Sequence, residues 1–292
     1  MTWSGVSGAC AGRNAPPALT PKGDKEQGTL IMKRFLCLSV FVALTLTGNA
    51  TFAADECTKI TATGHPQYPV IAYKDGDNIV GAAPTLVETI AKQLNVPLES
   101  KYMGTWEEAQ AAARDGNADM IFGIYYNDER ATYLDYVQPA FTYDDVAIFV
   151  VKGKEFPFTG QNDLIGKKGV TNQGESYGNE FDAFMKEKLD VARAAGIDTA
   201  FKDLLDGKAD YLIAGYYPGL AEASKEGIKG QVVPLDQALL TAEMFVAFSK
   251  KSPCRSLSDK FGQGITEMTT DGSFDAILAG ATKTWDAAQP KQ

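Results

Sequence analysis

The sequence predicts an α/β protein of two similar lobes, each a mainly parallel sheet flanked by helices, with two strands crossing between them. Three observations lead there. Strand-like and helix-like segments alternate along the chain, the order that yields a parallel sheet covered by helices. "DGNADMIFGIYY" (115–126) and "DGKADYLIAGYY" (206–217) align without a gap, 91 residues apart. Two long strand-like runs, "YDDVAIFVVKGK" (143–154) and "TAEMFVAFSKK" (241–251), read as crossings that carry the chain to a second lobe and back.

The elements follow from the N-terminus. Residues 32–53, "MKRFLCLSVFVALTLTGNATFA", have a basic start at Lys33 and Arg34 and a short apolar core from Phe35 to Leu46. Small residues precede a cut at Ala53/Ala54, the pattern of a secretory signal peptide that delivers the chain to the periplasm. Residues 1–31 carry no periodic pattern and are expected to be a non-native upstream extension. The mature part would hold 23 basic and 35 acidic residues. That acidic surface argues against nucleic acid or an anionic membrane as partner. Two cysteines remain in it, Cys57 and Cys254. In an exported chain they are expected to form a disulfide, with two free buried thiols as the alternative.

"KITATG" (59–64) reads as the first strand. From Pro84 to Leu94 the apolar Leu86, Val87, Ile90, Ala91 and Leu94 share one helical face, and Asn95 stops it. Thr105 with Glu108 forms a capping box for a helix that Gly116 closes. Asp119–Ile124 is an apolar run of strand length. Its twin near 210–214 ends in the same Tyr-Tyr pair. Ligands in open α/β sheets sit beyond the carboxyl ends of strands, where these tyrosines fall. After the second crossing, Leu257, Phe261, Ile265 and Met268 give one helix. Asp271-Gly272 breaks it, and Phe274, Ile277 and Leu278 lie on the last helix, expected to rejoin the first lobe.

Few residues point to chemistry. "GESYG" (174–178) matches G-x-S-x-G between a strand and a helix. A serine hydrolase of that type needs a histidine after the serine, and the single histidine, His65, lies far upstream. The same turn suits an anion: Gly174 permits close backbone approach, and Ser176 would cap the helix that follows. Simple capping explains it equally well. Arg130 follows a strand end, where a guanidinium can grip a carboxylate with two parallel bonds. A surface ion pair with Asp128, Glu129 or Asp135 is the alternative. Trp106 and Tyr68 are core aromatics or walls of a slot. One histidine, no C-x-x-C, no H-E-x-x-H and no nucleotide-binding glycine pattern lead us to expect no metal and no cofactor. His65 reads as a turn or hinge residue.

The segments "ITATGHPQYPV", "GAAPTLVETIAKQLNV", "TWEEAQAAARDGNADMIFGIYYNDERATYLDYVQPAFTYD", "LIGKKGVTNQGESYG", "LLDGKADYLIAGY" and "ITEMTTDGSFDAILAGATKTW" resemble the periplasmic solute-binding proteins of the polar amino-acid type, family 3, over residues 57–286. The resemblance implies the two-lobe type II periplasmic-binding-protein fold, with lobe 1 at 54–147 and 247–292 and lobe 2 at 148–246. It implies a non-enzymatic, monomeric receptor that binds an amino acid or related small carboxylate and presents it to the permease subunits of an ABC importer. Arg130 would grip the ligand α-carboxylate. Tyr68 and Trp106 would line the side-chain slot, Gly123 and Tyr125 would border the ligand, and Gly174 and Ser176 would close on the carboxylate from lobe 2.

Two departures stand out. Gly215, followed by Tyr216, stands where the family carries an acid that pairs with the ligand ammonium, and the first helix opens with "GAAP". Either the ligand has no α-ammonium or something else holds it: Tyr216, Tyr217 and Trp106 by cation–π contact, or Glu175 or Glu243 by charge. The same fold also resembles dehydratases of cyclic carboxylates, in which Glu175 would be the general acid. A sensor input domain is a third possibility.

Overall fold

Both halves of the main sheet share one strand order. The computed structural model describes residues 56–289. In one half Leu98–Ser100, Ile60–Gly64 and Met120–Tyr125 run parallel, and Leu240–Ser249 pairs antiparallel with Met120–Tyr125. In the other Asp190–Ala194, Lys168–Asn172 and Tyr211–Gly215 run parallel, and Thr142–Val151 pairs antiparallel with Tyr211–Gly215. Across the sheet each half therefore reads second, first, third, crossing strand, counted in chain order. The two aligned sequence segments supply the equivalent third strands. The crossing strands pair with each other from Leu240↔Val146 to Met244↔Thr142, joining the halves. This is the two-lobe α/β architecture expected from the sequence.

The helices form where periodicity and caps direct. Ala82–Gln93 buries Leu86, Val87, Ile90 and Ala91, and Asn95 just beyond it takes a positive φ of 57°. It begins two residues before Pro84, with Pro84 in its first turn, where a missing N–H costs nothing. Trp106–Asp115 has the full capping box between Thr105 and Glu108 and ends on left-handed Gly116. Ser258–Thr270 and Ser273–Ala288 close the chain on either side of Gly272, and both pack on Ala82–Gln93. Phe122, Phe248, Phe261, Ile90 and Ile265 are fully buried in the core between these layers. A smaller core around Phe149, Phe201 and Leu204 lies under the helices of the other half.

Cys57 and Cys254 are disulfide-bonded, tying the start of the described chain to the segment after the second crossing strand. The signal segment 32–53, its cut at Ala53/Ala54 and the stretch 1–31 lie outside the described residues. Among the described residues no helix is long and apolar enough to cross a membrane. A three-stranded sheet, Gln67–Tyr68, Ala72–Asp75 and Asn78–Val80, was not foreseen. Its strands are two to four residues long, too short for an alternation to show.

Candidate functional site

The site grows from the end of Met120–Tyr125. Opposite it, Phe245 and Val246 face Ile124 and Phe122, so Gly123 is an extra, unpaired residue. It has φ 71°, which glycine adopts without strain. This bulge bends the strand just before Tyr125. Asn127 then caps the short helix Asp128–Ala131, its Oδ1 accepting the Arg130 N–H at 2.7 Å. The cap holds Arg130 against the strand end, where it is 3% exposed. Its guanidinium donates Nε–H to Gln110 Oε1 at 2.9 Å, Nη1–H to the Tyr125 carbonyl at 3.0 Å and Nη2–H to the Gly174 carbonyl at 3.0 Å. Arg130 is therefore not a surface ion-pair partner of Asp128, Glu129 or Asp135.

Gly174 lies in the other half of the sheet, so Arg130 reaches across the seam. Gly174 has φ 81°, and a Cβ there would lie 3.0 Å from Gln110 Nε2 and 3.2 Å from the Glu107 nitrogen. Glycine lets the turn rest on the first turn of Trp106–Asp115. The turn presents its carbonyl rather than its N–H groups: Gly174 O accepts from Arg130 and from Gln110 Nε2. The Glu175 and Tyr177 N–H groups are bonded within their own half, to the Asn172 carbonyl and Asp182 Oδ1. The expectation that Ser176 caps the following helix is corrected. Gly178 is the N-cap of Asn179–Lys188, with no side-chain cap. Ser176 is buried, donates to Asp182 and accepts from Asn127 Nδ2 at 2.6 Å across the seam. The glycine after Tyr177 moves the helix start two residues on.

Tyr68 and Tyr125 meet at the centre of the site, hydroxyl to hydroxyl at 2.6 Å, and both donate to Asp144 Oδ2. Asp144 stands near the start of the first crossing strand and is 7% exposed. Burial pushes its carboxyl up to about 6, against the two tyrosine bonds, with the Asp145 and Glu175 charges adding to the rise. Burial, then the Asp144 charge, raises both phenols well above their usual range, so they keep the protons they donate. Gly215 lies against this group: a Cβ there would be 2.7 Å from Asp144 Oδ2 and would overlap the Tyr68 hydroxyl.

His65 is not a plain turn residue. It is 3% exposed, with ring centroids 4.9 Å from Trp106 and 5.4 Å from Tyr68. Its Nδ1 accepts the Gln67 N–H at 2.9 Å, which leaves the ring proton on Nε2, 3.0 Å from Glu175 Oε1 in the other half. Trp106 is buried, with the Arg130 guanidinium 5.6 Å above its ring. Tyr216 does not join this group. It packs with the core around Phe149, and Tyr217 is 70% exposed. The Tyr-Tyr repeat thus diverges in three dimensions, because Tyr216 opens a helix whereas Tyr125 ends a strand.

The structure brings Arg130, Tyr68, Trp106, Gly123, Tyr125, Gly174, Ser176 and Gly215 to one seam and leaves Tyr216 beside it. Asp144, Gln110 and Asn127, which carry no sequence signal, lie at the same seam, as does His65, which the sequence marks only as a turn or hinge residue. On one flank, Arg130, Gln110, Asn127, Glu175 and Arg193 line a polar groove of about 650 Å³. On the other, Tyr125, Tyr126, Tyr177, Phe181 and Glu243 line a groove of about 450 Å³. Between them, the space beside His65, Tyr68 and Gly215 is about 10 Å³, room for one water. Among the described residues no group of three metal-ligating side chains forms.

The sequence model of the bacterial extracellular solute-binding proteins, family 3, matches residues 60–283. The arginine-binding extracellular protein ArtP of Bacillus subtilis (strain 168) is 26% identical, covering 84% of this chain and 96% of that protein. A probable histidine-binding protein of Campylobacter jejuni is 24% identical, covering 85% of this chain and 98% of that protein. Among solved structures, the amino acid ABC transporter substrate-binding protein AbpA of Streptococcus pneumoniae, bound to L-arginine, superimposes with a TM-score of 0.65 at 21% identity, covering 80% of this chain and 97% of that one. A histidine kinase sensor domain with similarity to periplasmic binding proteins gives 0.65 at 23%, covering 77% and 96%. At these identities the superpositions show the fold: that of the periplasmic binding proteins.

Proposed function

The chain belongs to the bacterial extracellular solute-binding proteins, family 3, and on that premise we propose that it is the receptor of an ABC importer for an amino acid or closely related small carboxylate. The observation that carries this reading is Arg130: buried, fixed by a cap at a strand end, and turned across the seam between the halves. A guanidinium so placed matches the fork geometry of a carboxylate. The names of the arginine-binding and histidine-binding relatives point to the same ligand class.

In this reading residues 54–147 with 247–292 and residues 148–246 are the two lobes. The ligand enters as they hinge apart, and its carboxylate replaces the Gly174 carbonyl as an acceptor for Arg130. Tyr68, Trp106, Gly123 and Tyr125 border it from the first lobe, Ser176 and Gly215 from the second. Closure over the ligand makes the surface that permease subunits read. The receptor acts as a monomer in the periplasm after cleavage near Ala53/Ala54. A catalytic role for Glu175 has less support, because its Oε1 accepts the His65 N–H instead of offering a proton.

Calorimetry tests this reading. Protein freed of carried-over ligand by unfolding and refolding is titrated with the common L-amino acids. Saturable one-to-one binding of at least one, without turnover, is the expected result. No binding to any of them would overturn the reading.

A further inference from the structure

Resting on the reading that the cleft takes an amino acid, we propose that Asp144 is the counter-ion of the ligand α-ammonium, serving from the first crossing strand in place of an acid at the end of Tyr211–Gly215. The sheet register sets up the exchange. Gly215 pairs with Val146 in antiparallel fashion, so Asp144 lies two residues beyond the pair, alongside the strand end. A side chain on Gly215 would start 2.7 Å from Asp144 Oδ2 and overlap the Tyr68 hydroxyl. Gly215 has φ −57°, open to any residue. Glycine is required there for space, and the space is filled by Asp144 and the tyrosine that holds it. An acid at 215 and this arrangement exclude one another.

The charge balance points the same way. Asp144 is 93% buried, and among the described residues no Lys, Arg or His nitrogen approaches it within ion-pair distance. Its Oδ2 takes two hydroxyl donors, and Oδ1 takes none among the described residues. A buried carboxylate with neutral partners and a free oxygen is unfavourable by itself and complements a cation with N–H donors. The other candidates are less well placed. Glu175 is engaged by His65, Glu243 is exposed, Tyr216 packs in a different core, and Tyr217 is on the surface.

The test uses L-arginine, L-histidine and L-glutamine, each beside its des-amino carboxylate, titrated into the mature wild-type protein and into Asp144→Asn. Wild type should prefer the amino acids. Asp144→Asn should weaken their binding about 100-fold or more, the scale of a broken buried ion pair, and leave the des-amino acids within about threefold of their wild-type affinity. Equal losses for both probes would make Asp144 a structural residue, and no loss would remove it from the site. Either result overturns the proposal. Should the variant fail to fold, wild type decides alone. Des-amino acids bound as tightly as the amino acids overturn the inference but leave a carboxylate receptor. Failure of wild type to bind any L-amino acid overturns the functional reading itself.

Discussion

Arg130 Nη2 donates to the Gly174 carbonyl at 3.0 Å, so the guanidinium of one half is satisfied by the backbone of the other. In the proposed receptor that carbonyl stands in for a ligand oxygen. Ligand affinity is then a difference: the charge-assisted pair with a carboxylate minus the protein's own cross-seam bond. Both bonds have an ionised donor, but only the carboxylate adds an opposite charge and a second parallel bond, which favours exchange.

Gly174→Ala should disturb the seam more than the fold. The new methyl meets Gln110 and the first turn of Trp106–Asp115, and φ 81° strains any side chain. A cost of about 1–3 kcal/mol falls on the contacts with Arg130 and Gln110. Small-angle scattering of the ligand-free variant should show a larger radius of gyration, with secondary structure by circular dichroism unchanged. An unaltered radius would contradict this placement of the turn.

Asp144→Asn should stabilise the ligand-free protein at pH 7. The native carboxyl at about 6 lies above its ordinary 3.8, so the folded state holds a proton that the unfolded state has released. Stability contributed by this group is present at low pH and lost as pH rises from about 4 to about 6, up to roughly 3 kcal/mol. The uncharged variant avoids that loss. Its melting temperature should exceed wild type by several degrees at pH 7 and match it near pH 4. A lower melting temperature at pH 7 would show that the hydroxyl bonds to Asp144 outweigh its burial.

Ligand affinity should fall in acid for the same reason. Tyr68 and Tyr125 bond Asp144, the Asp145 and Glu175 charges act on it, and His65 packs beyond Tyr68. The informative quantity is the affinity ratio of an L-amino acid to its des-amino analogue. That ratio should drop by about tenfold per pH unit once Asp144 is protonated, below about 6. A ratio constant from pH 7.5 to 5 would contradict the Asp144 assignment.

Much of the frame was legible because it rests on local signals. The Thr105–Glu108 box, the stop at Gly116, the two long strands and the equivalent third strands of the 91-residue repeat are all present, although the Tyr-Tyr ends of the repeat diverge. The seam was less legible because its partners are distant in the chain. Tyr68 and Asp144 are 76 residues apart, and His65 and Glu175 are 110 apart. Gly215 reads as a lost acid because the sequence does not show which strand lies beside it. The nearby carboxylate comes from a neighbouring strand, and "YDDVAIFVV" showed only strand character. Ser176 looks like a cap in the sequence, but the helix begins after Gly178, two residues further on.

Reduction of Cys57–Cys254 should lower stability without removing the site. The bridge spans 197 residues of sequence and lies outside the seam. Closing so long a loop restricts the unfolded chain by about 5 kcal/mol in the entropy model, and measured losses run about 2–5 kcal/mol. Melting with and without reductant should show a clear fall in midpoint, with ligand affinity unchanged at temperatures where the protein remains folded.

The central claim is that Arg130 grips the ligand carboxylate, and calorimetric titration of folded Arg130→Ala with the amino acid that wild type binds tests it most directly. The account predicts a loss of about 100-fold or more in affinity, with a circular dichroism spectrum like that of wild type. Affinity equal to wild type in the folded variant would contradict it.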